Sequence, residues 1–143
     1  AVEEQGELRL YLDLHAHTQT RGAFLHANLA EGRHKVLAQL YGHALARRCP
    51  IFEYAQSKWN YVIEGSGRSW AAKYSGCPLC FVVESHYIRG HHRASPFGPR
   101  DWRRLGASCL EALWDLDCLA TPRLQQLPHV AELAACEELL EHS

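Results

Sequence analysis

Leu8-Arg9-Leu10-Tyr11-Leu12-Asp13-Leu14-His15-Ala16-His17 is the stretch on which the reading of this chain turns. Leucines 8, 10, 12 and 14 alternate with Arg9, Tyr11 and Asp13, the period of a strand with one apolar face. The spacing predicts a strand over 8–14 that enters the core and empties into a polar turn beginning at His15. Asp13 and His15 share parity, so a carboxylate and an imidazole can pair on one face of that strand. Polar groups at the carboxyl end of a strand are where α/β sheets place their sites.

Outward from this segment, Ala23-Phe-Leu-His-Ala27 reads as a second short strand and 33–48 as a helix stopped by Pro50. Residues 56–76 read as a loop, Phe81-Val-Val-Glu84 as a third strand, and 88–102 as a second loop rich in His, Arg, Pro and Gly. Helices are predicted over 103–118 and, beyond Pro122 and Pro128, over 130–141. Strands alternating with helices predict an α/β layer structure with few strands of its own.

The chain has 143 residues, 47% of them hydrophobic and 22% charged, which suits one domain with a modest core and argues against a disordered tail. A formal net charge of -1 gives no basis for a nucleic-acid partner or a polybasic membrane anchor. No apolar run approaches the roughly 20 residues of a spanning helix, and no signal-peptide layout opens the sequence. The six cysteines, at 49, 77, 80, 109, 118 and 136, are expected as reduced thiols. For Cys77-Pro-Leu-Cys80, structural, metal-binding and redox readings all stand.

Four constellations could carry chemistry. Asp13, His15 and His17 offer imidazole donors with a carboxylate to orient one of them. Glu84, ending an apolar strand, suits either a structural pair or acid–base work. Glu64-Gly-Ser-Gly-Arg68 is no phosphate loop, but its glycines can present Arg68 on a bent segment to a carboxylate ligand, or form a plain surface hairpin. His86, His91 and His92 form a cluster that reads as a solvated loop or, with Cys77 and Cys80, a mixed metal site.

Together these pieces resemble the zinc metallocarboxypeptidases. Leu10-Tyr-Leu-Asp-Leu-His-Ala-His17 and Arg21-Gly-Ala-Phe-Leu25 look like the segment bearing that family's third zinc ligand. Gln56-Ser-Lys58, Glu64-Gly-Ser-Gly-Arg68, Phe81-Val-Val-Glu84 and Ser108-Cys-Leu-Glu-Ala-Leu-Trp-Asp115 follow in the order of the cytosolic, tubulin-deglutamylating branch. Within it the likeness is greatest to the type that also removes branch-point glutamates. The resemblance covers roughly residues 8–118 and implies a partial metallocarboxypeptidase-like fold, a mixed sheet flanked by helices. It implies His15 as a zinc ligand, Glu84 as the base that activates the zinc-bound water, and Arg68 as receiver of an acidic side chain. Asp13 and His17 take supporting roles.

The departures shape the expectation. The family's first two zinc ligands come from an upstream His-x-x-Glu motif, and none precedes His15 here. Ala16 stands where glycine is usual, and Phe81-Val82-Val83 where tyrosine-threonine-leucine is usual. Residues 1–121 are therefore expected to be the C-terminal portion of a carboxypeptidase-like domain, and 122–143 a helical extension. The expected partner is the upstream half of that domain or another protein subunit. Zinc is expected only if that partner supplies the remaining ligands, and the expected substrate is glutamylated tubulin or another acidic peptide, in the cytoplasm or on the cytoskeleton. A catalytically inactive derivative serving as a structural or binding subunit is the alternative, with Trp59, Tyr61 and Trp70 as aromatic anchors.

Overall fold

The computed structural model describes residues 7–28, 31–90 and 96–142. Its strands are β1 (Leu10–His17), β2 (Ala23–Ala27) and β3 (Leu79–His86). Its helices are α1 (Gly32–Arg48), α2 (Gly67–Ser75), α3 (Pro99–Leu119) and α4 (Pro128–Glu141). β3 runs between the other two, parallel to β1 and antiparallel to β2. The expected mixed sheet flanked by helices is what the chain forms.

Register assigns the faces. Leu10 lies across from Leu79, Leu12 from Phe81, and Leu25 and Leu14 both from Val83. These side chains make one apolar face, and α1 lays Tyr41 flat against Phe81 with ring centroids 4.9 Å apart. The buried Tyr41 hydroxyl donates to the Cys109 carbonyl of α3 at 3.0 Å, so the polar end of the ring is satisfied. α3 lies beside α1, and α4 adds Val130 and Leu133 to the same core. Arg48, at the end of α1, forms a two-pronged pair with the buried Asp115 of α3 at 2.6 and 2.9 Å. That fork fixes how the two helices cross.

Three expectations need correction. β1 runs on through His17 because its backbone pairs with β3 over all eight residues, so His15 and His17 stand on a strand rather than in a turn. Its leucines are not all in the core: Leu10 and Leu12 are half-buried, but Leu14 is 63% exposed and Leu8 43% exposed. Among the described residues β1 is an edge strand, and the alternation cannot reveal which strand of a sheet is outermost. Residues 67–75 are helical, not loop. Ser66 caps α2 by accepting the Ser69 N–H at 3.2 Å, and Gly76 ends it in the left-handed region at φ +66°.

The closing helix also starts earlier than expected, at Pro99, where the Asp101 carboxylate accepts the Gly98 N–H at 2.8 Å. A tight contact locks α1 to the segment that follows it. A Cβ built on Gly42 would lie 2.3 Å from the Trp59 ring and 3.0 Å from Tyr54. Gly42→Ala is therefore expected to destabilise by about 1–3 kcal/mol, because overpacking outweighs the ~1 kcal/mol gained in helix propensity. A urea titration with an unchanged or higher midpoint would refute this.

Candidate functional site

The second face of the sheet carries the chemistry. By parity it presents Asp13, His15 and His17 from β1, Glu84 and His86 from β3, and Phe24 and His26 from β2. α2 covers one end of this face, where Ala71, Cys77 and Cys80 cluster with Tyr11. The other end, at the carboxyl termini of β1 and β3, opens into a cleft of about 500 Å³. Its walls include His17, Phe24, His26, Lys58, Tyr61 and Glu84.

The parallel register sets His15 directly across from Glu84. On β1 itself, His15 Nε2 meets Asp13 Oδ1 at 3.0 Å, the pairing that strand parity anticipates. With Nε2 held by the carboxylate, Nδ1 is the nitrogen left for a ligand, the usual division of labour in a carboxylate–histidine pair. His17 turns a different way: its Nδ1 accepts the Thr20 N–H at 3.4 Å, and its ring meets Phe24 edge-on with centroids 5.1 Å apart. Its Nε2 is buried and unpartnered. His86 is used structurally, since its Nδ1 accepts the Ile88 and Arg89 N–H groups at 2.9 Å and shapes the turn after β3. His91 and His92 lie outside the described residues.

Glu84 is mostly buried, with a side chain 17% exposed, and its Oε1 stands 3.9 Å from His26 Nδ1. That distance is too long for a hydrogen bond. Burial, reinforced by the positive charges of Lys58 and Arg68 and by His17, pushes the His26 imidazole down to about 4. His26 is thus neutral near pH 7. Sequence reasoning passed over it, although alternation along 23–27 puts His26 and Phe24 on the face opposite Ala23 and Leu25. What the alternation lacked was the pairing partner. Only the β2–β3 register shows that this face is shared with Glu84.

The shift has a consequence for stability. The unfolded chain takes up a proton on His26 near pH 6.5, whereas the folded chain resists it down to about 4. Stability is full above pH 6.5 and declines as the pH falls through that window. His43, also held below its ordinary value by burial, acts in the same direction. Urea midpoints at pH 7.5 and 4.5 should differ less in His26→Phe than in the native chain. Equal differences would exclude His26 as a source.

Arg68 departs from its expected presentation. It is 1% exposed and sits in the first turn of α2. Its guanidinium donates to the His26 carbonyl at 2.6 Å and the Tyr61 carbonyl at 2.5 Å. Burial holds its pKa below the ordinary value, with partial relief from Tyr61, Asp13, Cys80 and Glu84. Lys58 is the cation on the cleft wall, its Nζ 4.9 Å from the Tyr61 ring centroid. Trp59 and Trp70 also separate: Trp59 packs on Tyr54 and the core, while Trp70 is exposed beside Tyr74.

The cysteines are free thiols, five of them buried. Burial pushes the Cys80 thiol up to about 12, which suits a packing role better than a reactive one.

A zinc ion does not fit the described residues as a complete site. Among them, no group of three or more His, Cys, Asp or Glu side chains converges closely enough to hold a metal. A His-x-x-Glu spacing does occur downstream, at His129-Val-Ala-Glu132. Glu132 is ion-paired with Arg47 of α1, in the helical layer behind the sheet. That motif therefore cannot complete the set at His15.

No family model matches the chain. Over 123 residues it is 28% identical to cytosolic carboxypeptidase 3 of Mus musculus, a match covering 78% of this chain and 12% of that relative. Its fold is similar to the crystal structure of a metallo-carboxypeptidase from Burkholderia cenocepacia, with a TM-score of 0.61 and 16% identity. That likeness covers 74% of this chain and 30% of the other. The structural likeness shows the fold, and the chain spans about one-eighth of the length of the curated relative it resembles in sequence. Among the described residues no helix is long and apolar enough to cross a membrane.

Proposed function

We propose that this chain carries the rear half of a carboxypeptidase-type site, which releases C-terminal glutamate from acidic peptide tails once an upstream segment or another chain completes it. The observation that carries this reading is the register that sets His15 beside Glu84 on the open face. His15 supplies one metal-ligand position, with Asp13 orienting its ring. Glu84 is the carboxylate placed for general-base work. Lys58 is the positive charge on the cleft wall that an acidic side chain would meet, a place assigned by sequence to Arg68.

Zinc binding is proposed for the completed assembly, not for the described residues by themselves. The finer parts of the reading belong to the same proposal: a likeness to cytosolic carboxypeptidase 5, glutamylated tubulin as substrate, and a cytoplasmic or cytoskeletal location. The test is to isolate the native assembly, measure zinc per chain, and assay peptides ending in linear and in branch-point glutamate. About one zinc per chain together with glutamate release is the expected result. Zinc-dependent release by the isolated chain would overturn the dependence on a completing segment.

A second reading is favoured by one observation. Arg68, whose family counterpart receives the acidic side chain, is spent on two backbone carbonyls. On that reading the chain is a carboxypeptidase-derived structural or binding subunit without activity. A stable native assembly with neither zinc nor glutamate release would establish it.

A further inference from the structure

Cys77-Pro-Leu-Cys80 takes no part in the cleft, and its two ends are held by different elements. Gly76 closes α2 in the left-handed region, and the Ser75 hydroxyl accepts the Cys77 N–H at 3.2 Å. Cys80 is already in β3, paired in register with Tyr11 of β1. Pro78 stiffens the link, because its ring fixes one backbone dihedral. A helix end and a strand therefore set both thiols, and the two interact directly with each other. Each also donates weakly to backbone: Cys77 Sγ to the Leu79 carbonyl at 3.4 Å, Cys80 Sγ to the Cys77 carbonyl at 3.5 Å. Both residues are buried, yet a second cavity of about 360 Å³ borders them. Asn28, His34, Ala72 and Phe81 also line it, near the amino end of β3 and away from the cleft at its carboxyl end.

Three chemistries compete for such a dithiol. A nucleophilic or redox-active pair needs a thiolate, which a helix N-terminus favours. This pair follows a helix C-terminus, and burial holds the Cys80 thiol protonated. Structural zinc needs four donors, and among the described residues no third His, Cys, Asp or Glu converges on the two sulfurs. A soft monovalent cation needs only two thiolates, and it displaces their protons as it binds. Two thiolates and one such cation leave a single negative charge. The buried Arg68 guanidinium, which acts electrostatically on Cys80, offsets that charge.

We infer that Cys77 and Cys80 form a two-coordinate site for Cu(I), reached through the cavity beside His34 and separate from the cleft that holds Glu84. Each thiol gives its proton to solvent as its sulfur binds the ion, and no electron is transferred. The bound ion ties the end of α2 to the start of β3. It has no part in peptide hydrolysis, so the site stands independently of the proposed peptidase activity.

The test titrates anaerobically purified native protein with Cu(I) supplied as its bicinchoninate complex. One Cu(I) per chain is expected to leave the chelator, to survive gel filtration and to resist a large excess of zinc. X-ray absorption at the copper edge should show sulfur as its only donor, and amide exchange over residues 76–81 should slow on loading. Neither readout needs a variant to fold. Cys77→Ser and Cys80→Ser should each weaken binding by about a hundredfold or more, since one of two soft donors is lost. Cys136→Ser, which removes a thiol less buried than the pair, and His15→Ala in the cleft should leave binding unchanged. Binding retained in Cys77→Ser, nitrogen donors in the absorption spectrum, or loss of the ion with Cys136→Ser or His15→Ala would each overturn the inference. So would conversion of the pair to a disulfide with no copper retained. Copper binding without glutamate release leaves the site standing and removes only the proposed activity. Release by a protein that takes up no copper does the reverse.

Discussion

Arg68→Met is expected to lower the stability of the chain by about 2–4 kcal/mol, seen as a drop in urea midpoint without a change of slope. Its guanidinium is the donor for the carbonyls of His26, on β2, and Tyr61, in the segment before α2. Asn28 donates in turn to the Arg68 carbonyl at 3.2 Å, so one residue ties the end of β2, the 56–66 segment and the start of α2 together. Methionine fills much of the volume of the arginine stem but donates nothing, and each buried carbonyl left unpaired costs about 1–3 kcal/mol. Release of the guanidinium from its costly burial offsets part of that loss. Lysine should rescue only partly, since a compact ammonium cannot copy the planar fork that reaches both oxygens. If the side chain served only a ligand, Met would leave the midpoint where it is. An unchanged midpoint therefore rejects the structural role.

Arg68 also shows where the sequence stops being legible. The glycines at 65 and 67 suggested a bent loop displaying a cation. The contrary signals were present in Ser66 as a cap and Gly76 as a terminator, which bracket a short helix. Burial of the charge was not legible, because its partners are carbonyls 42 and 7 residues away whose approach depends on the whole packing of β2 against α2. Local relations fared better. The Asp13–His15 pair follows from strand parity, and the Phe81–Glu84 strand from its β-branched run. Strand order was beyond reach, and with it went two conclusions. Leu14 belongs to an open edge rather than the core, and His26 belongs to the face of Glu84. Both depend on which strand lies beside which, and alternation along one strand carries no such information.

Glu84→Gln separates function from folding most sharply. A carboxylate kept for stability would be expected to hold strong partners, as Asp115 does with its two-pronged contact to Arg48. Glu84 has nothing comparable among the described residues. It stands 3.9 Å from an imidazole that is neutral near pH 7, at the mouth of a cleft and across from His15. Glutamine keeps the size but gives up the negative charge and one acceptor oxygen, so the fold should shift by no more than about 1 kcal/mol in either direction. In the completed assembly, glutamate release should fall by about 10²–10⁴-fold in kcat, the typical contribution of a positioned acid–base group, with KM little changed. Large loss of stability would mean that the carboxylate is structural. Full activity with an intact fold would mean that another group takes the proton. The same substitution in an inactive subunit would alter neither quantity, so together with the zinc measurement it decides between the two readings of the chain.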